Sequence, residues 1–147
     1  MRKIHLVLAA IALFFMFNAC KKNDSPGSTP PNARTVQNFS GTYSLTDLKA
    51  SIFGVSTDLY DSLPPCEQDN LIRLNATLTA QFIDTGKICV PPSDSTGTWS
   101  LSSNTDTLYI AGSANFINSW DGTTLVLVGQ QTISGFAATV TTTLVKE

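Results

Sequence analysis

Histidine is almost missing from this chain, whose one His residue, His5, lies in an apolar segment near the N-terminus. The rest of the chain therefore has no Ser-His-Asp or Cys-His catalytic arrangement. It also has no His-ligated zinc, copper or iron site. No carboxylate pair stands out by its spacing, and no segment has the ligand spacing of a calcium loop. The sequence predicts a protein that is not an enzyme and that carries no metal or cofactor.

Positive charge is also scarce in the part of the chain that has globular composition, residues 36–147. This region has four Lys and Arg residues against ten Asp and Glu residues, a formal charge of −6. An acidic surface repels the phosphate backbone, so nucleic acid is excluded as a partner. The acidic residues are scattered along the sequence, which is typical of a solvated surface.

The N-terminus has the layout of a signal peptide. A basic start, Met1-Arg2-Lys3, precedes an apolar stretch over residues 4–17. That stretch is short for a membrane span, which needs about 20 apolar residues. Phe17-Asn18-Ala19-Cys20 follows with a small residue at the cleavage position and resembles a bacterial lipobox. We expect cleavage before Cys20 and a lipid on its sulfur; the alternative is an ordinary secretory signal cut near a cysteine.

This layout divides the chain into three parts. Residues 1–19 form a lipoprotein signal peptide, residues 20–35 a polar, lipid-anchored flexible tether, and residues 36–147 a single domain. Acyl chains such as palmitate on Cys20 would hold the protein on a bacterial membrane. The expected location is the cell envelope, at the outer membrane, on either its periplasmic or its surface face. The membrane is thus one expected partner.

The cysteine count is odd, with three in the chain. Lipidation of Cys20 leaves Cys66 and Cys89 as a pair, and both lie beside prolines in predicted loops. An exported protein keeps disulfides, so we expect the two to be bonded, which would contribute roughly 3 kcal/mol in the chain-entropy model. A redox-active pair is the alternative, but the spacing is wide and the chain has no Cys-x-x-Cys motif.

The region after the tether alternates apolar and hydroxyl side chains with the period of a β-strand. Asp121-Gly122, between two such runs, is a strong hairpin signal. The longest apparent connection is 54–66, in which residues 56–61 could hold a helical turn. Such strands suggest a sandwich or a closed barrel with a polar outer face, unlike a membrane barrel. The strands are expected over 40–52, 69–75, 77–84, 87–90, 97–103, 106–112, 114–120, 123–130 and 132–145, with one or two merging.

Two segments echo each other, Gly41-Thr42-Tyr43-Ser44-Leu45 and Gly97-Thr98-Trp99-Ser100-Leu101. The stretch 66–75 between them is similar to the Cys-Glu-Lys-Asp-Asp-x-Leu-x-Phe-Asn stretch of the lipocalin-like domain found in many Bacteroidetes lipoproteins. Over residues 39–130 the chain resembles that family. The resemblance implies an all-β, antiparallel up-and-down barrel of about eight strands. It also implies that Tyr43 and Trp99 pack at one barrel end. The chain lacks the family's Asp-Gly after Asn75, which leaves that turn uncertain.

An eight-stranded barrel has room for a packed interior or one small ligand. Our first hypothesis is therefore that the barrel binds a small apolar ligand or lipid. The candidate ligand-binding residues are Phe82, Tyr109, Phe116 and Trp120. The alternative is a non-catalytic envelope module that binds an unknown protein partner, with 54–66 as its contact. An enzyme would need a carboxylate pair or a metal inside the barrel, and no inward acid is evident from the sequence.

Overall fold

The computed structural model describes residues 29–147, which form an antiparallel β-barrel. Its short helical segments are α1 (Val36–Phe39), a 3₁₀ turn (Tyr60–Ser62) and α2 (Pro65–Gln68). No helix in this described part is long and apolar enough to cross a membrane. The strands are β1 (Gly41–Ile52), β2 (Val55–Asp58), β3 (Leu71–Leu74), β4 (Thr79–Ile83), β5 (Ser95–Leu101), β6 (Thr107–Ile110), β7 (Ser113–Trp120), β8 (Thr124–Ile133) and β9 (Phe136–Lys146).

Eight of the nine strands close into a barrel. Each strand from β3 to β9 pairs with the next, β3 also pairs with the start of β1, and β9 closes the ring by pairing with β1 along most of its length. The short β2 pairs only with the far end of β1, beyond the reach of β3. The predicted all-β, up-and-down barrel of about eight strands is confirmed. Closure pairs the backbone N–H and C=O groups that an open sheet would leave unpaired at its edge strands.

Alternation of side chains decides which face of each strand is buried. Leu125 and Leu127 on β8 point inward and are at most 3% exposed, while Val126 between them faces outward. On β9, Val140 and Leu144 are buried in the same way. Phe136 begins the same strand but is 51% exposed, because it lies at the end of the β8–β9 hairpin. Threonines fill much of the outer face, where their branched Cβ suits the pleat.

Two-residue turns join three pairs of strands. Phe53-Gly54, Ala111-Gly112 and Ser134-Gly135 each place both residues at positive φ, between 49° and 85°. These are type I′ dihedrals, whose twist matches the twist of the flanking strands. The hairpin predicted at Asp121-Gly122 is also confirmed. There the Asp121 carboxylate accepts the backbone N–H groups of Thr123 and Thr124.

Two parts of the predicted strand map are wrong, and a turn that the sequence left uncertain forms. Residues 87–90 form a loop, because the N–H of Cys89 is bound by the Asp84 carboxylate and not by a neighbouring strand. The connection 54–66 begins with β2, and its helical turn lies later than expected, at Tyr60–Ser62. The turn after Asn75 forms without Asp-Gly. Leu78 takes the left-handed conformation there, with φ 64°.

The core fills one end of the barrel, which we call the closed end. Tyr43 and Trp99 are fully buried in it beside Phe39. The Tyr43 hydroxyl donates to the Phe39 carbonyl at 2.8 Å, and burial raises the pKa of Tyr43 well above its usual range. The Trp99 indole N–H donates to the Asn75 carbonyl at 2.8 Å. The largest buried side chains are Trp99, Tyr43, Phe39, Leu74, Leu108, Ile117, Leu125 and Leu144.

The described residues that precede α1 lie against the closed end. The Arg34 guanidinium donates to the Ile117 carbonyl at 3.2 Å, and the Asn38 amide donates to the Pro30 carbonyl at 2.7 Å. Pro31 packs so close to Gly122 that an added Cβ there would come within 3.3 Å of it. The barrel therefore contacts residues that precede the predicted domain start at residue 36. The predicted signal peptide and Cys20 lie outside the described residues.

Candidate functional site

The end of the barrel opposite the core carries two loops joined by a disulfide. The Cys66–Cys89 bond, predicted from the cysteine count, links α2 to the β4–β5 loop with a Cα–Cα distance of 5.1 Å. The Asp84 carboxylate, only 7% exposed, holds the second loop. It accepts the N–H of Cys89 at 3.1 Å and that of Ser93 at 2.8 Å. A covalent bond and a buried carboxylate therefore fix both loops over the barrel mouth.

A pocket of about 330 Å³ lies beneath these loops, and we call it the mouth pocket. Six of its ten lining residues are apolar. The Asn70 amide and the Ser93 hydroxyl hydrogen-bond at 2.9 Å and tie its two rims together. The lining residues are Leu45, Leu48, Leu63, Glu67, Asn70, Leu71, Ile72, Phe82, Ser93 and Ser95.

A β-bulge shapes the wall that β1 gives to this pocket. The pairing of β1 with β9 shifts by one residue between Leu45 and Asp47. The extra residue lets Leu45 and Leu48, three positions apart, both reach the pocket, where strict alternation would turn one of them away. Both side chains are half-buried.

The structure does not bring the four predicted ligand residues together. Phe82 lines the mouth pocket. Trp120 lies in the core, its ring centroid 5.1 Å from that of Phe39. Tyr109 and Phe116 lie on the outer face of the barrel, 41% and 51% exposed, and their expected place in the interior is wrong.

The reason for this error is a second bulge. Phe116 and Trp120 are four residues apart, so plain alternation puts them on one face. The pairing of β7 with β8 shifts between Ile117 and Ser119. Ile117 and Trp120 therefore both point inward, and Phe116 points outward. Tyr109 lies between Leu108 and Ile110, which both point into the core, so its own side chain points outward.

A wider cleft, of about 620 Å³, opens on the barrel side where β7 stops pairing with β8. Phe116 and Val128 are its only large apolar residues, and amide and hydroxyl side chains make up much of its lining. Ligand sites are lined mostly by apolar side chains. The lining of the mouth pocket fits that description better than the lining of this cleft does.

The two hairpins that extend past the barrel mouth carry exposed apolar side chains, which we call the apolar tip. Phe53 is 86% exposed and Val55 69%, and the Phe53 ring packs edge-on against Phe136 with centroids 5.6 Å apart. All four residues of β2 are exposed. A cavity of about 260 Å³ that includes Ile52 and Ile133 lies beside the tip.

The two tryptophans differ in one polar contact, which gives a testable contrast. The Trp120 indole N–H is buried and has no acceptor among the described residues, whereas that of Trp99 is bonded. Trp120→Phe removes a donor that has no acceptor, whereas Trp99→Phe removes a hydrogen bond. We expect Trp99→Phe to destabilise the barrel by about 1–2 kcal/mol more than Trp120→Phe does. Urea unfolding of both variants measures the difference, and equal losses would contradict it.

Phe82 is the one residue of the ten lining the mouth pocket that was predicted from the sequence; the other nine, which include Leu48, Leu63 and Glu67, were missed. Leu48 is hidden by the bulge, and Leu63 and Glu67 belong to the connection that the disulfide holds in place. The loop-fixing role of Asp84 was also missed, since Asp84-Thr85-Gly86 resembles a simple turn. Its signal is an acidic residue directly after a strand and close before a cysteine. Within residues 29–147, no three His, Cys, Asp or Glu side chains group closely enough to hold a metal ion.

The model of one protein family matches the chain. Its description is lipocalin-like domain, and the match covers residues 39–127, more than half of the sequence. The matched region runs from the start of the core through the disulfide to the inward pair on β8. No curated protein and no solved structure matches the chain.

Proposed function

Because the chain belongs to the lipocalin-like domain family, we propose that it binds one small apolar ligand in the mouth pocket. The observation that carries this proposal is an apolar pocket of about 330 Å³ whose rims are fixed by the disulfide and by Asp84. When a ligand enters a pre-formed pocket, ordering of the pocket walls costs little free energy. The function is binding, without catalysis.

The experiment uses residues 29–147, which contain every strand, the disulfide and the core cluster of the described fold. Titration of the ¹⁵N-labelled domain with 1-octanol should shift the amide signals of Leu48, Ile72 and Phe82. Ser95→Phe, which fills the pocket mouth, should abolish these shifts. Ser113→Phe, which changes the wider cleft in the same way, should leave them intact. Shifts centred on that cleft, or no shifts, would overturn the proposal.

We also propose that a lipid on Cys20 anchors the protein at the outer membrane of a Bacteroidetes-type cell envelope. Support comes from the signal-like N-terminus and from the described chain, which enters the barrel at its closed end. The mouth pocket lies at the opposite end, so such an anchor leaves its entrance uncovered. Metabolic labelling with an alkyne palmitate should mark the wild type but not Cys20→Ala. Label that persists in Cys20→Ala would contradict the anchor.

The apolar tip favours a second function, binding of a protein partner in the envelope. Phe53 and Val55 are exposed next to β2, whose outer edge has no strand beside it in the described structure. Such an edge accepts a strand from another chain. A photo-crosslinking residue at Phe53 should trap a partner in cells, and one at Tyr109, which is also exposed but distant from the tip, should not. Identical results from both sites would count against this function.

A further inference from the structure

The mouth pocket combines an apolar floor with a single charged group. Resting on the proposed function, we infer that its ligand is an amine with a short apolar tail, whose ammonium group lies against Glu67. Glu67 is the only ionisable residue among the ten that line the pocket. The tail would lie among Leu45, Leu48 and Phe82. Charge and size together support this ligand class.

Glu67 is available to a ligand cation. It lies on α2, directly after Cys66, so the disulfide holds its backbone at the pocket rim. Within residues 29–147, no Lys or Arg nitrogen lies within 4.0 Å of its carboxylate. The one ion pair found in that part of the chain joins Lys49 to Asp47. The negative charge at the rim is therefore not neutralised by the protein itself.

The loops around the pocket strengthen this charge. Within the two segments 58–69 and 84–94, Lys87 is the only basic residue. A concave site with charge of one sign around it attracts ligands of the opposite sign and repels those of the same sign. A fatty acid carboxylate is therefore disfavoured here, although its tail suits the floor. The acidic residues of the two loops are Asp58, Asp61, Glu67, Asp69, Asp84 and Asp94.

The size of the pocket limits the tail. About 330 Å³ is near the lower end of the volumes found for small-molecule sites, which begin at roughly 300 Å³. A site of this size suits a single short chain of about eight carbons. The paired acyl chains of a membrane lipid do not fit. The ligand is therefore a small amphiphile.

Three probes with the same tail test this inference: octylamine, 1-octanol and octanoate, titrated calorimetrically into residues 29–147 at low salt. Octylamine should bind tightest and octanoate weakest. Glu67→Gln should weaken octylamine binding by about three- to fivefold, as for an exposed ion pair, and leave 1-octanol unchanged. Glu147→Gln, which removes an exposed carboxylate far from the pocket, is the matched control and should change neither.

Each of the other possible outcomes overturns a different part of the proposal. If none of the three probes binds, both the proposed function and the ligand class are overturned. If 1-octanol and octanoate bind as tightly as octylamine, the pocket is a ligand site but its preference for amines is disproved. A preference for octylamine that survives Glu67→Gln would overturn the role assigned to Glu67. Added salt at about 0.5 M should reduce the preference, because it screens exposed charges.

Discussion

We expect the replacement of both Cys66 and Cys89 by Ala to lower the free energy of unfolding by about 3 kcal/mol. The bond closes a loop with a sequence separation of 23 residues, and the chain-entropy model assigns that much to the restriction of the unfolded chain. Urea unfolding followed by tryptophan fluorescence measures the loss. The slope of the transition should rise, because the unfolded chain without the cross-link exposes more surface.

Reduction of the wild type provides the control for this substitution. Reduction breaks the same bond without altering any side-chain volume, so reduced wild type and the double variant should unfold at similar urea concentrations. Binding of 1-octanol should weaken in both, since α2 and the β4–β5 loop supply opposite rims of the mouth pocket. A loss below 1 kcal/mol would mean that other contacts already hold the loops.

Asp84→Ala is expected to cost about 2–4 kcal/mol, although it removes only one side chain. The carboxylate accepts the N–H groups of Cys89 and Ser93, and its loss leaves buried donors without partners. Each unsatisfied buried donor costs roughly 1–3 kcal/mol. The variant should also bind the ligand less tightly, because Ser93 lies on the pocket wall.

Asp106→Ala is a suitable control for the Asp84 substitution. The Asp106 carboxylate also accepts several hydrogen bonds, but from the side chains of Ser102, Asn104 and Thr107 in a surface turn. Those donors can hydrogen-bond to water instead, so the free energy of unfolding should fall by less than about 1 kcal/mol. Equal losses for Asp84→Ala and Asp106→Ala would show that the burial of Asp84 adds nothing.

Much of the fold follows from the sequence because alternation and turn residues act locally. The run around Leu125 and Leu127 and the turn at Asp121 are examples in which neighbouring residues suffice. The cysteine pair was also predictable, since Cys66 and Cys89 remain when Cys20 is set aside. The matched family region, residues 39–127, falls within the span over which the motifs resemble that family.

The candidate site was less predictable, because it depends on two bulges. One extra residue in β7 puts Phe116 and Trp120 on opposite faces, and one in β1 turns both Leu45 and Leu48 inward. A bulge has no strong sequence signal, since it results from how two strands match along their whole length. The position of Glu67 depends in turn on the disulfide, which joins residues far apart in the chain.

The pairing that closes the barrel also sets an order of assembly. β1 and β9 are the first and last strands, so Leu45 cannot meet Leu144 until β9 has been synthesised. Contacts between such distant residues form slowly, because a long loop must close first. Until β9 pairs with β1, the β8–β9 hairpin over residues 122–145, which has no charged residue, has one unpaired edge, on β9. Newly made chains are therefore most prone to aggregate through this hairpin, just before the ring closes.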